Sequence, residues 1–135
     1  MSAATPHIIQ LPIIPDERGN LSFFEHPNQI PFAIKRTYWI HDIPGGENKG
    51  HAFKTQNEFI VALSGSFDIL VNNGFTETLF SLNRPHVGLF VPKMHWRKLQ
   101  NIATNSVVLV VSDSEFDTTE YIREFEEFQN EIGHV

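Results

Sequence analysis

The stretch Gly45 to Gly65, GGENKGHAFKTQNEFIVALSG, constrains the fold more tightly than any other part of the chain. Its spacing runs Gly45, five residues, His51, one residue, Phe53, four residues, Glu58, six residues, Gly65. Residues two apart in a strand face the same side, so His51 and Phe53 are expected to look into one interior. An imidazole and a benzyl group then share a wall of any pocket there.

The flanking sequence repeats short β-rich runs bounded by turn residues, which means a sandwich or barrel. Residues 7–14 (HIIQLPII) read as an edge strand, because Pro12 cannot donate to a ladder. Pro15 to Asn20 is turn chemistry. Leu21 to Glu25 and Pro31 to His41 read as strands. In the second, Ile34, Arg36, Tyr38 and Ile40 share one face, and Lys35, Thr37, Trp39 and His41 the other. Phe59 to Leu63, Phe67 to Val71, Phe75 to Leu82, Val87 to Val91 and Val107 to Val111 continue the pattern. Asn72-Asn73-Gly74 is a hairpin signal, since Asn-Gly supplies the positive φ of a type I′ turn. Asp117-Thr118-Thr119-Glu120 then reads as a capping box. Tyr121, Phe125, Phe128 and Ile132 follow at helical spacing, so a helix is expected over about 118–132, ended by Gly133. The expectation is one all-β domain, residues 1–135, with a barrel over about 7–112 and a C-terminal α-helix.

A chain of 135 residues with 41% hydrophobic and 19% charged residues is an ordinary globular domain. A formal charge of -6 argues against a nucleic-acid partner, yet a few local cations can still hold a small anion. There are no cysteines, so thiolate metal sites and disulfides are excluded. The N-terminal MSAATPHIIQLPIIP lacks the basic region and apolar run of an export signal or membrane span, and a cytoplasmic setting is expected.

The Gly45–Gly65 motif resembles the first motif of the cupin jelly-roll barrels, with Phe53 where that family has its second histidine. The second motif is Gly88-Leu-Phe-Val-Pro92-Lys-Met-His95-Trp96-Arg97, in which Arg97 holds the place of the last histidine. Two of four metal-ligand positions therefore cannot coordinate, and a guanidinium there repels a dication. His95, two residues before Arg97, offers a rescue triad with His51 and Glu58, but a metal-free pocket without cofactor is the stronger expectation.

Taken in order, further segments resemble the sugar-nucleotide 3,4-ketoisomerases, the FdtA/QdtA-like (WxcM-like) cupins. They are Arg18-Gly19-Asn20-Leu21, the run Pro31 to Tyr38, His51-Ala52-Phe53-Lys54, Leu63-Ser-Gly-Ser66, Gly88 to Pro92 with Trp96, and Tyr121-Ile122-Arg123 with Glu127-Phe128. The resemblance implies a homodimer acting on a dTDP-4-keto-6-deoxyhexose in the synthesis of surface polysaccharides such as lipopolysaccharide. Two departures stand out. The arginine of the family's Arg-Gly-x-His turn is absent, with Lys49 beside its place, and position 53 is Phe.

Moving a ketone from C4 to C3 means removing the C3 proton, stabilising an enediolate and returning a proton at C4. Histidine suits the base, and donors must aim at the developing oxyanion. His51 is the candidate base. Tyr38, matching the family's active-site tyrosine, is a candidate donor or proton carrier. His95 is a second carrier candidate, expected with Arg97 at the pocket mouth. Arg18 and Arg36 are candidate clamps for a diphosphate or enediolate. Lys54 and Glu58 flank His51, and a carboxylate at 58 could orient the imidazole. Apolar Phe53 should lower the His51 pKa. Three readings follow: a metal-free ketoisomerase, a related epimerase using the same proton abstraction, or a non-catalytic sugar-nucleotide-binding protein in which the second histidine was lost.

Overall fold

The computed structural model describes residues 5–133; residues 1–4, where the stretch read for an export signal begins, lie outside them. The strands in chain order are β1 (His7–Gln10), β2 (Ile13–Asp16), β3 (Gly19–Ser22), β4 (Arg36–Ile40), β5 (Ala52–Phe53), β6 (Glu58–Ser64), β7 (Phe67–Asn72), β8 (Glu77–Leu82), β9 (Val87–Val91), β10 (Trp96–Gln100), β11 (Val107–Ser112) and β12 (Tyr121–Ile122). One helix, α1 (Phe125–Gly133), closes the chain.

Two antiparallel sheets face each other. The first has the order β1-β9-β6-β11-β4 and the second β10-β7-β8. Beside β10 the His51–Arg97 bridge brings in β5, which β12 then pairs. Alternation along each strand decides what fills the space between them. Ile60, Ala62, Leu89, Val108 and Val110 from the first sheet meet Ile69, Val71, Leu82 and Leu99 from the second, all buried. Opposite faces of the first sheet's strands carry Phe59, Val61, Phe90 and Val111, which Leu11, Ile30 and Phe32 cover. Both faces of β6 are therefore buried, which explains why its sequence is continuously apolar rather than alternating. Gly65 turns β6 into β7 at φ +78, and a Cβ there would also collide with Ser106.

Register places the polar end of the barrel. Arg36 pairs with Ser112 and Ser112 with Glu58, while Tyr38 pairs with Val110 and Val110 with Ile60. The apolar lining of the inner face thus gives way at one end to a row of Arg36, Ser112 and Glu58.

The C-terminal segment departs from the expected helix over 118–132. Asp117 does cap, accepting from the backbone of Thr119 at 2.9 Å, but it caps a single 3₁₀ turn, Thr118–Glu120. Tyr121 and Ile122 then run extended beside Phe53 and Ala52, and the α-helix begins only at Phe125. In a capping box the residue-120 carboxylate would reach back to Asp117. It crosses instead to the β5–β6 loop, accepting from the Thr55 backbone at 2.8 Å and the Gln56 backbone at 3.2 Å. Tertiary partners outbid the local motif. Phe125 and Phe128 stack on Trp96, with ring centroids 5.4 and 6.1 Å away, so Trp96 is core beneath the helix. Among the described residues no helix is long and apolar enough to cross a membrane.

Candidate functional site

At the polar end of the barrel, Glu58 and Tyr38 from the first sheet meet Arg97 from the second. Arg97 donates through Nε to Glu58 Oε1 at 2.9 Å and through Nη2 to Oε2 at 3.2 Å. Tyr38 donates its hydroxyl to Glu58 Oε2 at 2.8 Å and accepts from Arg97 Nη2 at 3.0 Å. Arg97 and Glu58 are 2% and 1% exposed. Burial, with the Glu58 carboxylate adding to it against the opposing Arg97 charge, pushes the Tyr38 phenol above its ordinary range. Tyr38 stays protonated, with that proton given to Glu58. Toward a ligand it offers a lone pair.

His51 lies opposite Arg97, the two backbones exchanging hydrogen bonds at 3.1 and 2.9 Å, so both side chains point inward. Phe53 lies edge-on to the imidazole, centroids 4.8 Å apart, and Tyr121 closes the group at 5.2 Å from His51 and 4.6 Å from Phe53. The shared facing expected from the spacing is met. His51 Nε2 is buried and has no hydrogen-bond partner. Burial first, then the charges of Arg97, Arg123 and Arg36, lower the His51 pKa to about 2. The imidazole is thus neutral near pH 7, and its Nε2 is left for a partner that the protein itself does not supply. Gly50, just before it, is held beneath the Trp96 indole, where a Cβ would stand 2.5 Å from Nε1. This contact fixes the approach of the chain to His51.

Arg36 completes the ring of cations. Its guanidinium lies 5.1 Å from the Tyr38 ring centre and 5.5 Å from that of Phe116, and Nη2 donates to Gln56 Oε1 at 3.4 Å. Arg123 stacks on Tyr121 at 4.2 Å. Phe116, 65% exposed, stands at the rim.

Several sequence-derived candidates lie elsewhere. Arg18 is at the tip of the β2–β3 hairpin with its side chain 87% exposed, 3.6 Å from Asp16, because residues 17–18 form the turn itself. Lys54 is exposed, since alternation after Phe53 turns it outward. His95 precedes the strand that carries Arg97, beyond a turn in which Met94 takes φ +55. Its Nδ1 turns back on the Lys93 carbonyl at 3.0 Å, and it lines a cavity of about 240 Å³ with Val71, Thr78 and Phe80. Neither a hydrogen bond nor a ring contact joins it to His51 among the described residues. Arg97, expected at the pocket mouth, is buried. Glu58 does not orient the imidazole, because Arg97 and Tyr38 take both its oxygens.

The cupin metal position does not fit these residues. Phe53 has no donor atom, and the Arg97 guanidinium occupies the Glu58 carboxylate that would be a ligand.

Sequence reasoning passed over Gln56, Glu120, Tyr121 and Arg123 as site residues. For Tyr121 and Arg123 a signal existed: their spacing of two is strand spacing, but the capping box ahead of them favoured a helix. Gln56 carried no signal, since a Gln in a polar run reads as loop surface.

Residues 4–133 match the family described as FdtA: WxcM-like, C-terminal. The chain is 33% identical over 129 residues to the TDP-4-oxo-6-deoxy-alpha-D-glucose-3,4-oxoisomerase of Aneurinibacillus thermoaerophilus, covering 95% of this chain and 93% of that protein. Among solved structures it is similar to the WlaRB TDP-quinovose 3,4-ketoisomerase of Campylobacter jejuni, with TM-score 0.88 and 36% identity over 93% of this chain and 97% of the other. It is also similar to QdtA, a sugar 3,4-ketoisomerase of Thermoanaerobacterium thermosaccharolyticum in complex with TDP, with TM-score 0.90 and 29% identity over 96% and 95% of the two chains.

Proposed function

The chain belongs to the FdtA family of WxcM-like proteins, and from that premise we propose that it interconverts the 4-keto and 3-keto forms of a TDP-linked 6-deoxyhexose. It is an isomerase: it is similar, over nearly their whole length, to 3,4-ketoisomerases of TDP-sugars. The observation that carries the reading at the level of residues is His51, a neutral, inward-facing imidazole with an unpartnered Nε2, whose charging Arg97, Arg123 and Arg36 oppose.

A neutral imidazole accepts the C3 proton. The electrons left behind form the C3–C4 double bond and place negative charge on the C4 oxygen. In the free site the three guanidinium groups oppose a charge on His51. Once the enediolate forms, its anion balances them, and an imidazolium becomes tolerable at the moment it is needed. The imidazole, its captured proton exchanged with solvent, delivers a proton to C4 while the C3 hydroxyl proton passes across to the C4 oxygen, which gives the 3-keto sugar. Tyr38, whose proton is committed to Glu58, is placed to accept from a sugar hydroxyl. Phe116 at the rim is placed to stack on the nucleobase.

Phe53 favours one rival, binding without turnover, because the second histidine of relatives is missing. Incubation with TDP-4-keto-6-deoxyglucose in deuterated water separates the outcomes. Deuterium on a ring carbon with ketone migration, read by NMR, is the expected result. Epimerisation without migration would make the chain an epimerase, and binding without exchange would make it a binding protein.

The outer edge of β1, together with exposed Ile13, Ile14 and Leu21 on the neighbouring hairpin, supports the pairing of two copies into a dimer. We take the setting to be the cytoplasm and the product to be destined for a surface polysaccharide, as the resemblance implies.

A further inference from the structure

Gln56 is 1% exposed and held from two sides. Its backbone N–H donates to Glu120 Oε1 at 3.2 Å, and the same carboxylate takes the Thr55 backbone and hydroxyl at 2.8 Å each. Its side-chain Oε1 accepts from Arg36 Nη2. A guanidinium only donates, so the oxygen end of the amide faces Arg36 and the NH₂ end is turned elsewhere. That Nε2 is buried without an acceptor, and so are Arg36 Nε and Nη1.

Buried donors are rarely left unpaired, and each that is calls for a group not yet accounted for. Among the described residues the orphaned buried side-chain atoms are these three and His51 Nε2. All belong to one end of the barrel: Arg36 lies 5.1 Å from the Tyr38 ring centre, Tyr38 accepts from Arg97, and the Arg97 backbone pairs with that of His51. What is missing is an acceptor that touches both an amide and a guanidinium.

We propose that Gln56 Nε2 and an unpartnered Arg36 N–H form the cradle for the sugar oxygen that turns negative in the enediolate, with Glu120 as the positioning residue that holds Gln56 in place. This rests on the ketoisomerase reading and adds to it a residue and an atom. A sugar oxygen fits better than a diphosphate. The cradle offers one charge and one neutral amide in a buried place, which suits an oxygen uncharged in the ground state and anionic only during reaction. A diphosphate brings several charges and calls for several cations.

The test uses the full chain with Gln56→Ala, Gln56→Glu and Glu120→Ala, assayed on TDP-4-keto-6-deoxyglucose and titrated with TDP and with the keto sugar nucleotide. Gln56→Ala should lower kcat by about 10²-fold, the loss typical of one oxyanion donor, with TDP affinity nearly unchanged and KM raised by no more than the margin by which the keto sugar nucleotide outbinds TDP. Gln56→Glu, whose carboxylate pairs with Arg36 and removes both donors, should lower kcat further while melting normally. Glu120→Ala should reproduce the kcat loss, and adding Gln56→Ala to it should cost little more. Wild-type kcat in Gln56→Ala overturns the proposal, and so does a loss of TDP affinity as large as the loss for the keto sugar nucleotide. If the wild-type chain does not turn over, the ketoisomerase reading fails separately. The cradle is then judged by binding alone: Gln56→Ala must erase the margin by which the keto sugar nucleotide outbinds TDP, and an unchanged or absent margin overturns it.

Discussion

Arg97 forks both oxygens of Glu58 across the gap between the two sheets, at 2.9 and 3.2 Å, with neither side chain more than 2% exposed. An ion pair so deep is costly to desolvate and costly to break. It also occupies the carboxylate that a metal would need and fixes Tyr38, whose hydroxyl bonds both partners. The pair therefore converts what could be a ligand set into a buttress for the reacting groups.

Removing one partner strands the other's charge. Arg97→Met should cost about 3–5 kcal/mol of folding stability, and replacing both, with Glu58→Leu, should recover most of that loss. Activity should recover in neither, because Tyr38 loses its anchors. Urea unfolding of the two variants checks this. A double variant no more stable than Arg97→Met alone would mean the pair is not the stranded-charge problem described here.

The His51 shift has a sign that stability measurements can read. The folded imidazole titrates far below the 6.5 of a free one. Below 6.5 the unfolded chain therefore binds a proton that the folded chain refuses, and stability falls as pH falls, by up to about 1.4 kcal/mol per pH unit. Comparing wild type with His51→Asn between about pH 7 and pH 5 isolates this group from the carboxylates. The variant should lose less stability on acidification. Parallel curves would show that the imidazole charges freely in the folded state.

Strand spacing was enough to place His51 and Phe53 on one wall, because alternation is local and survives any barrel geometry. Turn residues and β-rich runs were likewise enough for an all-β sandwich or barrel. The remainder depended on partners far apart in the chain. Arg97 read as a rim residue because nothing near it in sequence shows that Glu58 waits across the barrel, 39 positions away. The Asp117–Glu120 box is a genuine cap whose helix never starts, since Glu120 finds Thr55 and Gln56 instead. Arg18 carries the resemblance but sits on a solvent-facing hairpin tip.

Phe53 is the departure that most invites a reversal. Its ring is 4% exposed and fills the space between His51 and Tyr121. In Phe53→His a smaller polar ring would be buried there, at a cost of about 1–3 kcal/mol in stability. If His51 alone handles the carbon proton, kcat should stay within about threefold of wild type. Steady-state kinetics beside a thermal melt tests both halves. A large gain in rate would show that this site lacks a second imidazole and works below its chemical capacity.

His51→Asn removes the proton acceptor while keeping a polar side chain in the same strand position. Loss of a general base lowers kcat by about 10²–10⁴-fold, and deuterium entry at the sugar ring should fall with it. TDP lacks the reacting carbons, so its affinity should change little. The two readouts answer different questions. Exchange reports whether this imidazole touches the carbon proton, whereas nucleotide affinity reports whether the barrel is intact. Exchange persisting at the wild-type rate in a variant that still binds TDP would move the base to another residue. Tyr38 is ill suited to that role, since burial and Glu58 hold its proton in place. His51 is therefore the one described side chain at this end of the barrel that combines an inward face, a neutral ring and a free nitrogen.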